Sequence, residues 1–294
     1  STPIKSSAAS DVYKRQTVEW FLRRHGYSRH IITGLKRTED GIFRNGVRAW
    51  TSQAVHAGDV IETHLVETEP SDGILPRPVP FSVVYEDDDI LVVDKPADTP
   101  IHPSIGNYEN TLANGIAWYF EQKGEPFVYR CINRLDRDTT GLIVLAKHAL
   151  SAAVLSQAMR SREIHRTYQA FALGETAASG TIDAPIARLN GSLIQRTVDF
   201  ASGERSVTHY RTLAHCSVFS HLELNLETGR THQIRVHMAY IGHPLLGDTL
   251  YNKTPGTFPR QALHSASLSF VHPITGEPLN FHAPLPEDMQ NLLT

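Results

Sequence analysis

Apolar residues are spaced in two different rhythms along the chain. From residue 17 to about 40 the rhythm is helical: Val18, Phe21 and Leu22 follow Thr17, and Ile31, Ile32 and Leu35 follow Ser28. A hydroxyl just ahead of such a stripe can accept from the free N–H groups of a first turn, so the pattern predicts two short capped helices, the first ending at Gly26. Gly41–Val47 is then split by Asn45-Gly46, a dipeptide suited to the positive φ angles of a tight hairpin, and predicts strand, turn, strand. Val55 to Leu65 predicts a further strand with its corner at Gly58-Asp59.

Residues 67–80 break the pattern. They carry four prolines and few apolar groups, and read as a semi-extended linker. Beyond it, Val83-Val84-Tyr85 and Ile90-Leu91-Val92-Val93 predict adjacent strands across the acidic turn 86–89. Leu112–Phe120 and Leu150–Met159 have helical period, while Leu142–Ala146, Thr167–Leu173, Val207–Leu213 and Leu222–Leu226 read as strands. Strands follow one another without regular alternation with helices, which favours an α+β fold with a largely antiparallel sheet over a doubly wound one. The expected organisation is a lead-in at 1–16 without apolar period, disordered or artefactual, a small α+β unit at 17–66, the linker at 67–80 and a large domain at 81–294.

Composition narrows the class. With 40% hydrophobic and 20% charged residues the chain can fill a packed core. No apolar run nears the ~18 residues a membrane span needs, and two cysteines, Cys131 and Cys216, are too few for a disulfide framework. A reducing, cytoplasmic setting is the default, without membrane association. The net charge of −3 excludes a nucleic-acid binder that works by bulk charge. Charge is nevertheless uneven: residues 17–50 hold seven Lys/Arg against three Asp/Glu. Arg23, Arg24, Arg29, Lys36 and Arg37 fall on the polar faces of the two short helices, where they suit phosphate contacts as well as ordinary solvation.

Two segments carry candidate chemistry. Asn133-Arg134-Leu135-Asp136-Arg137-Asp138-Thr139-Thr140-Gly141 is a polar loop that feeds straight into the apolar strand 142–146. A carboxylate there is aimed by a rigid scaffold and faces solvent or substrate, and its basic neighbours favour the charged form. In Leu226–Met238, Thr231 can cap a helix on which His232 and Arg235 share one face and Ile234 and Met238 another. Taken singly, these segments also suit a salt-bridged turn and an amphipathic helix. The spacing of His232, His237 and His243, five and six residues, does not match the i, i+4 pair of a helical zinc site, so no metal is expected.

Taken together, the segments resemble the RluA-type pseudouridine synthase family. Tyr85–Pro96 with His102-Pro103 is similar to that family's opening segment, and Arg134-Leu135-Asp136 with Thr139, Thr140 and Gly141 to its catalytic loop. Arg166-Thr167-Tyr168-Gln169-Ala170 resembles its tyrosine strand. Gly229–His237, then Gly242-His243-Pro244 and Gly247-Asp248, resembles its signature helix and exit loop, and Leu263-His264, Phe270, His272-Pro273 and Ala283-Pro284 its last strands. Order and spacing hold through about 200 residues, which chance does not produce. Asn133, Thr140 and Arg166 stand where many relatives have His, Ser and Lys.

The resemblance implies the pseudouridine synthase catalytic fold and an isomerase that converts uridine in RNA to pseudouridine without a cofactor. It implies that Asp136 is the essential aspartate, acting as nucleophile or base, that Tyr168 stacks on the uracil, and that Arg235 pairs with the aspartate. Arg134, Thr139, Arg230 and His232 are expected at the substrate, and residues 17–66 resemble the S4-like RNA-binding domain of many relatives. Large-subunit ribosomal RNA is the expected partner, with transfer RNA as the alternative, and nothing demands more than a monomer. A non-catalytic RNA-binding module is the first rival. The second is a hydrolase pairing Asp136 with His232 or Ser265, although the chain has neither a Gly-x-Ser-x-Gly elbow nor a second suitably placed carboxylate.

Overall fold

The computed structural model describes residues 2–5, 16–65 and 70–293. In the N-terminal unit, helices α1 (Val18–Arg24) and α2 (Arg29–Arg37) begin at the expected hydroxyls: Thr17 Oγ1 accepts from the Trp20 N–H and Ser28 Oγ from the Ile31 N–H. Both buried stripes are the expected ones. They pack on a sheet of β1 (Thr2–Lys5), β2 (Ile42–Arg44), β3 (Val47–Arg48) and β4 (Val60–Thr63) in the order β1-β4-β2-β3. Asn45 and Gly46 take positive φ at the β2–β3 turn. Residues 2–5, expected to lie in a lead-in, pair as a strand with β4. Residues 6–15 of that lead-in lie outside the described residues.

The large domain is built on a nine-stranded sheet. Its strands are β5 (Ser82–Glu86), β6 (Ile90–Lys95), β7 (Thr140–Ala146), β8 (His165–Leu173), β9 (Ser179–Asp183), β12 (Val207–His215), β13 (Phe219–Leu226), β14 (Leu263–Val271) and β15 (Pro278–His282). The order is β5-β6-β7-β14-β8-β13-β12-β9, with β15 on β14. The β7–β14 ladder is parallel and the other ladders are antiparallel. A two-stranded hairpin, β10 (Ile186–Arg188) and β11 (Arg196–Val198), stands apart from the sheet. The remaining helices are α3 (Leu112–Lys123), α4 (Ala149–Arg160), α5 (Gln233–Tyr240) and the short α6 (Glu287–Gln290).

The central strands read as unbroken apolar runs because both faces are covered. Leu91 and Val93 of β6 and Ile143 and Leu145 of β7 join Leu112, Ile116 and Phe120 of α3 and Ile234 and Met238 of α5 in one core. Their neighbours Ile90, Val92, Leu142 and Val144 turn to the other face and meet Leu155 of α4. The period of two along each strand thus divides the sheet between two cores.

Helix α4 serves two cores as well. Leu155, Ala152, Ala158 and Met159 face the sheet, whereas Leu150, Ala149, Ala153 and Val154 join the core of the N-terminal unit with Ile274. The approach is close: a Cβ at Gly26 would lie 2.5 Å from Val154 Cγ2. The N-terminal unit is therefore docked on α4 by apolar contact.

The segment 70–80 follows a fixed course along α3 without regular structure. The Ser71 N–H donates to the Phe127 carbonyl at 3.3 Å and Ser71 Oγ accepts from the Tyr129 N–H at 2.8 Å. Asn114 Nδ2 donates to the Leu75 carbonyl at 2.8 Å.

Candidate active site

The polar loop 133–139 lies between two paired segments. Before it, residues 130–132 bond to β7, with the Ile132 N–H on the Val144 carbonyl. Asn133 is buried and completes this edge: Nδ2 donates to the Leu142 carbonyl at 3.1 Å and Oδ1 accepts from the Val144 N–H at 2.9 Å. After the loop, Gly141 (φ +110°) lies so close to β14 that a Cβ would sit 2.3 Å from the Ser265 carbonyl oxygen. Only glycine combines that angle with that approach.

The loop backbone is held from below. Lys95 is fully buried at the end of β6, and its Nζ donates to the Arg137 and Pro96 carbonyls, each at 2.8 Å. Burial lowers the pKa of this ammonium to about 7, only partly offset by Asp138 and Asp136. Arg260 Nη1 donates to the Asp138 carbonyl at 3.1 Å while its Nε and Nη2 grip Asp288 of α6 at 2.7 and 2.9 Å. These contacts fix the position of Asp136.

Asp136 meets α5. Its Oδ2 accepts from Arg235 Nη1 at 3.1 Å, and its Oδ1 faces His232 Nε2 at 3.8 Å, beyond a hydrogen bond. Arg235 is shared: Nε and Nη2 donate to the two oxygens of Asp248 at 2.7 and 2.8 Å. Asp248 is fully buried, and its Oδ1 also accepts from the Leu250 and Tyr251 N–H groups. Burial works against the Arg235 charge, but its hydrogen bonds to Asp248 and the charge of Asp136 overcome this and raise its pKa. The Tyr251 ring lies 5.1 Å from the guanidinium carbon. The result is a guanidinium clamped between two carboxylates, one buried and one at an open cleft.

That cleft is lined by Arg134, Asp136, Thr139, Tyr168, Arg230, His232 and Arg235, every site residue expected in the large domain. Tyr168 sits on β8 in register with Ser265 of β14, only 4% exposed, with its ring in the core below the cleft. Thr139 is buried; its N–H donates to the Asp136 carbonyl and its Oγ1 accepts from Gln261. Arg134 is exposed at the rim. Arg230 is exposed too and paired with Glu204. Ser265, the alternative partner of Asp136 in a hydrolase, is buried and donates to the Leu142 carbonyl at 3.3 Å.

The N-terminal cations lie on the exposed faces of α1 and α2. Arg23 pairs with Glu19, and Arg24 lies over the Trp20 ring. Arg29, Lys36 and Arg37 are exposed beside them.

One sequence detail needs correction. Thr231 does not cap α5: the N-cap is His232, in the left-handed region at φ 59°, without a side-chain cap. This places His232 ahead of the helix, where it faces Asp136. Sequence reasoning also passed over Asp248 except as part of a loop motif, and missed Tyr251. The signal available for Asp248 was chemical: a mostly buried arginine needs more acceptors than one half-exposed carboxylate supplies.

Asp87, Asp89 and His272 bring potential metal-ligand atoms within 4.8 Å of one another. The donor set does not suit a cation. His272 Nδ1 accepts from the Ile274 and Thr275 N–H groups, so its ring proton is on Nε2, which donates to Asp87 Oδ2 at 2.9 Å. A metal needs that lone pair free. The cluster instead braces the β5–β6 turn against the 272–275 turn, and His148 at the N-cap of α4 joins it through Asp89.

The cleft thus brings together a carboxylate, the buried arginine that pairs with it and an aromatic ring. Residues 89–240 match the RNA pseudouridylate synthase family. The chain is 40% identical to the uncharacterized RNA pseudouridine synthase YjbO of Bacillus subtilis, over 94% of this chain and 98% of that one. It is 43% identical to ribosomal large subunit pseudouridine synthase D of Vibrio cholerae, over 80% of this chain and 76% of that one. Among solved structures, human RNA pseudouridylate synthase domain containing 1 superimposes with a TM-score of 0.59 at 26% identity, over 74% of this chain and 86% of that one. The chain belongs to the RNA pseudouridylate synthase family, in its RluA-type branch, and is an isomerase that acts on RNA. Among the described residues no helix is long and apolar enough to cross a membrane.

Proposed function

We propose that this enzyme converts specific uridines of large-subunit ribosomal RNA to pseudouridine, with Asp136 as the reacting carboxylate and without a cofactor. The reaction breaks the N1–C1′ bond, turns the uracil and joins C5 to C1′; N1 gains a proton and C5 loses one. No net electron transfer occurs. The observation that carries the reading is Asp136 itself: one oxygen is held by Arg235 and the other faces the cleft above Tyr168. Such a carboxylate can attack as a nucleophile or take a sugar proton. Tyr168 offers the detached uracil a flat surface. Arg134 and Arg230 at the rim, with Thr139 and His232 deeper in, contact the nucleotide.

The ribosomal substrate is supported by the names of the Vibrio cholerae and Escherichia coli relatives. Residues 17–66 act as an S4-like RNA-binding unit through Arg23, Arg24, Arg29, Lys36 and Arg37, joined by the 67–80 linker to a catalytic domain at 81–294. Extruding the target uridine costs about a few kcal/mol, and cationic contacts to phosphate offset it. The enzyme works as a cytoplasmic monomer.

Pseudouridine mapping on ribosomal and transfer RNA, with wild type and Asp136→Asn, tests this. The expected result is modification of large-subunit RNA by wild type, and none by the variant, which still binds RNA. Turnover by Asp136→Asn would overturn the catalytic assignment. Product on transfer RNA alone would overturn the substrate, and free uracil would point to hydrolysis.

A further inference from the structure

We propose that His232 is a positioning residue that presents a neutral Nε2–H to the free oxygen of Asp136, and that Tyr251 fixes it in that tautomer. The inference rests on the reading of Asp136 as the reacting carboxylate.

The hydrogen bonds around Tyr251 select one arrangement. The Arg196 backbone N–H, which can only donate, is 2.9 Å from the Tyr251 hydroxyl oxygen. That oxygen is 2.7 Å from His232 Nδ1. Among the described residues Nδ1 is the acceptor within reach of the hydroxyl proton, so the chain runs from the Arg196 N–H to the Tyr251 O–H to His232 Nδ1. The imidazole proton then resides on Nε2. The opposite side of the ring fits the same arrangement, because Nε2 lies 3.8 Å from the carboxylate oxygen Asp136 Oδ1. A lone pair there would face a lone pair.

The surroundings favour the neutral ring. Burial lowers the pKa of His232; Asp136 and Asp248 oppose this, and Arg235 and Arg196 reinforce it. A neutral donor can align Asp136 Oδ1 without forming a second ion pair that would quench it. Arg235 already holds Oδ2, so Arg235 on α5 and His232 at its N-cap divide the carboxylate, one oxygen each. The 3.8 Å gap leaves Oδ1 free, while Nε2–H limits the directions it can take. Tyr251 has a second contact, its ring against Arg235, which Phe would retain.

The test is a double-mutant cycle of Tyr251→Phe and His232→Gln, a side chain whose amide can donate without a tautomer choice. Steady-state kinetics on the substrate RNA give kcat and KM, and 15N-edited histidine spectra of the free enzyme report the tautomer. Tyr251→Phe should lower kcat about 10- to 100-fold, the range for losing the partner that orients a metal-bound imidazole, with KM little changed. Its spectrum should show His232 shifting from Nε2–H to a mixture. In the His232→Gln background Tyr251→Phe should change kcat by no more than about two-fold, because the two act as one unit. Losses that multiply, or an Nδ1–H tautomer in wild type, would overturn the inference. Asp136→Asn in the same assay separates the levels: an active Asp136→Asn removes the underlying reading, whereas an inactive one with multiplying losses removes this inference alone.

Discussion

Replacing Asp248 with Asn changes one atom and removes the buried charge that holds Arg235. In the wild type, Asp248 receives Nε and Nη2 of Arg235 at 2.7 and 2.8 Å and the Leu250 and Tyr251 N–H groups on Oδ1. With its amide oxygen at the Oδ1 position, Asn keeps Arg235 Nη2 and both backbone N–H groups but sets its NH2 against the Arg235 Nε–H. Removing one partner of a buried ion pair costs about 3–5 kcal/mol. Asp136 still pairs with Arg235 and most of the hydrogen bonds to residue 248 survive, so the lower end, about 3 kcal/mol, is expected. At a few degrees per kcal/mol for a chain of this size, the Tm should fall by roughly 6 °C or more. The freed guanidinium should also lose its aim, lowering kcat more than it raises KM. Thermal unfolding and steady-state pseudouridine formation measure the two effects. A Tm within about 2 °C of wild type, together with unchanged kcat, would refute the clamp as the device that sets Arg235.

Two further outcomes follow from the packing. A chain lacking residues 1–66 uncovers Leu150, Val154 and Ile274; it should melt earlier than the full chain and bind a hydrophobic dye, and a monomeric truncation with unchanged Tm would remove the shared core. Burial holds Lys95 at about 7 in the fold whereas the unfolded chain titrates it near about 10.4, so between these values the unfolded chain binds the extra proton and the contribution of Lys95 to stability rises with pH. The melting difference between wild type and Lys95→Met should therefore grow from pH 6.5 to pH 9, and a difference independent of pH would refute the shift.

Sequence periodicity was most informative where one element buries one face. The stripes of α1 and α2 and their hydroxyl caps were legible because local hydrogen bonding and a single core decide them. The loop at 133–141 was legible as a polar break before an apolar strand. The meeting of Asp136 and Arg235 was not legible in either segment alone, since they lie 99 residues apart in the chain; only the resemblance implied it. The start of α5 was misplaced because Thr231 looks like a cap, whereas the left-handed turn at His232 is set by contacts with Tyr251 and the cleft. The short strands β9, β10 and β11 escaped notice because so few of their residues are buried that no alternation stands out. The docking of the N-terminal unit was hidden too: Ala149, Ala153 and Val154 are small or β-branched residues that read equally well as the outer flank of an ordinary helix.

The two-sided use of α4 bears on how such proteins could be recombined. An exchange of the N-terminal unit between relatives, joined anywhere in the proline-rich segment, would keep the chain continuous yet set a foreign surface against Leu150 and Val154. Chimeras should succeed when these outward positions are transplanted with the unit they face, and the inward set, led by Leu155 and Met159, is left with its sheet. The natural seam for swapping therefore runs lengthwise through a helix rather than across the connector.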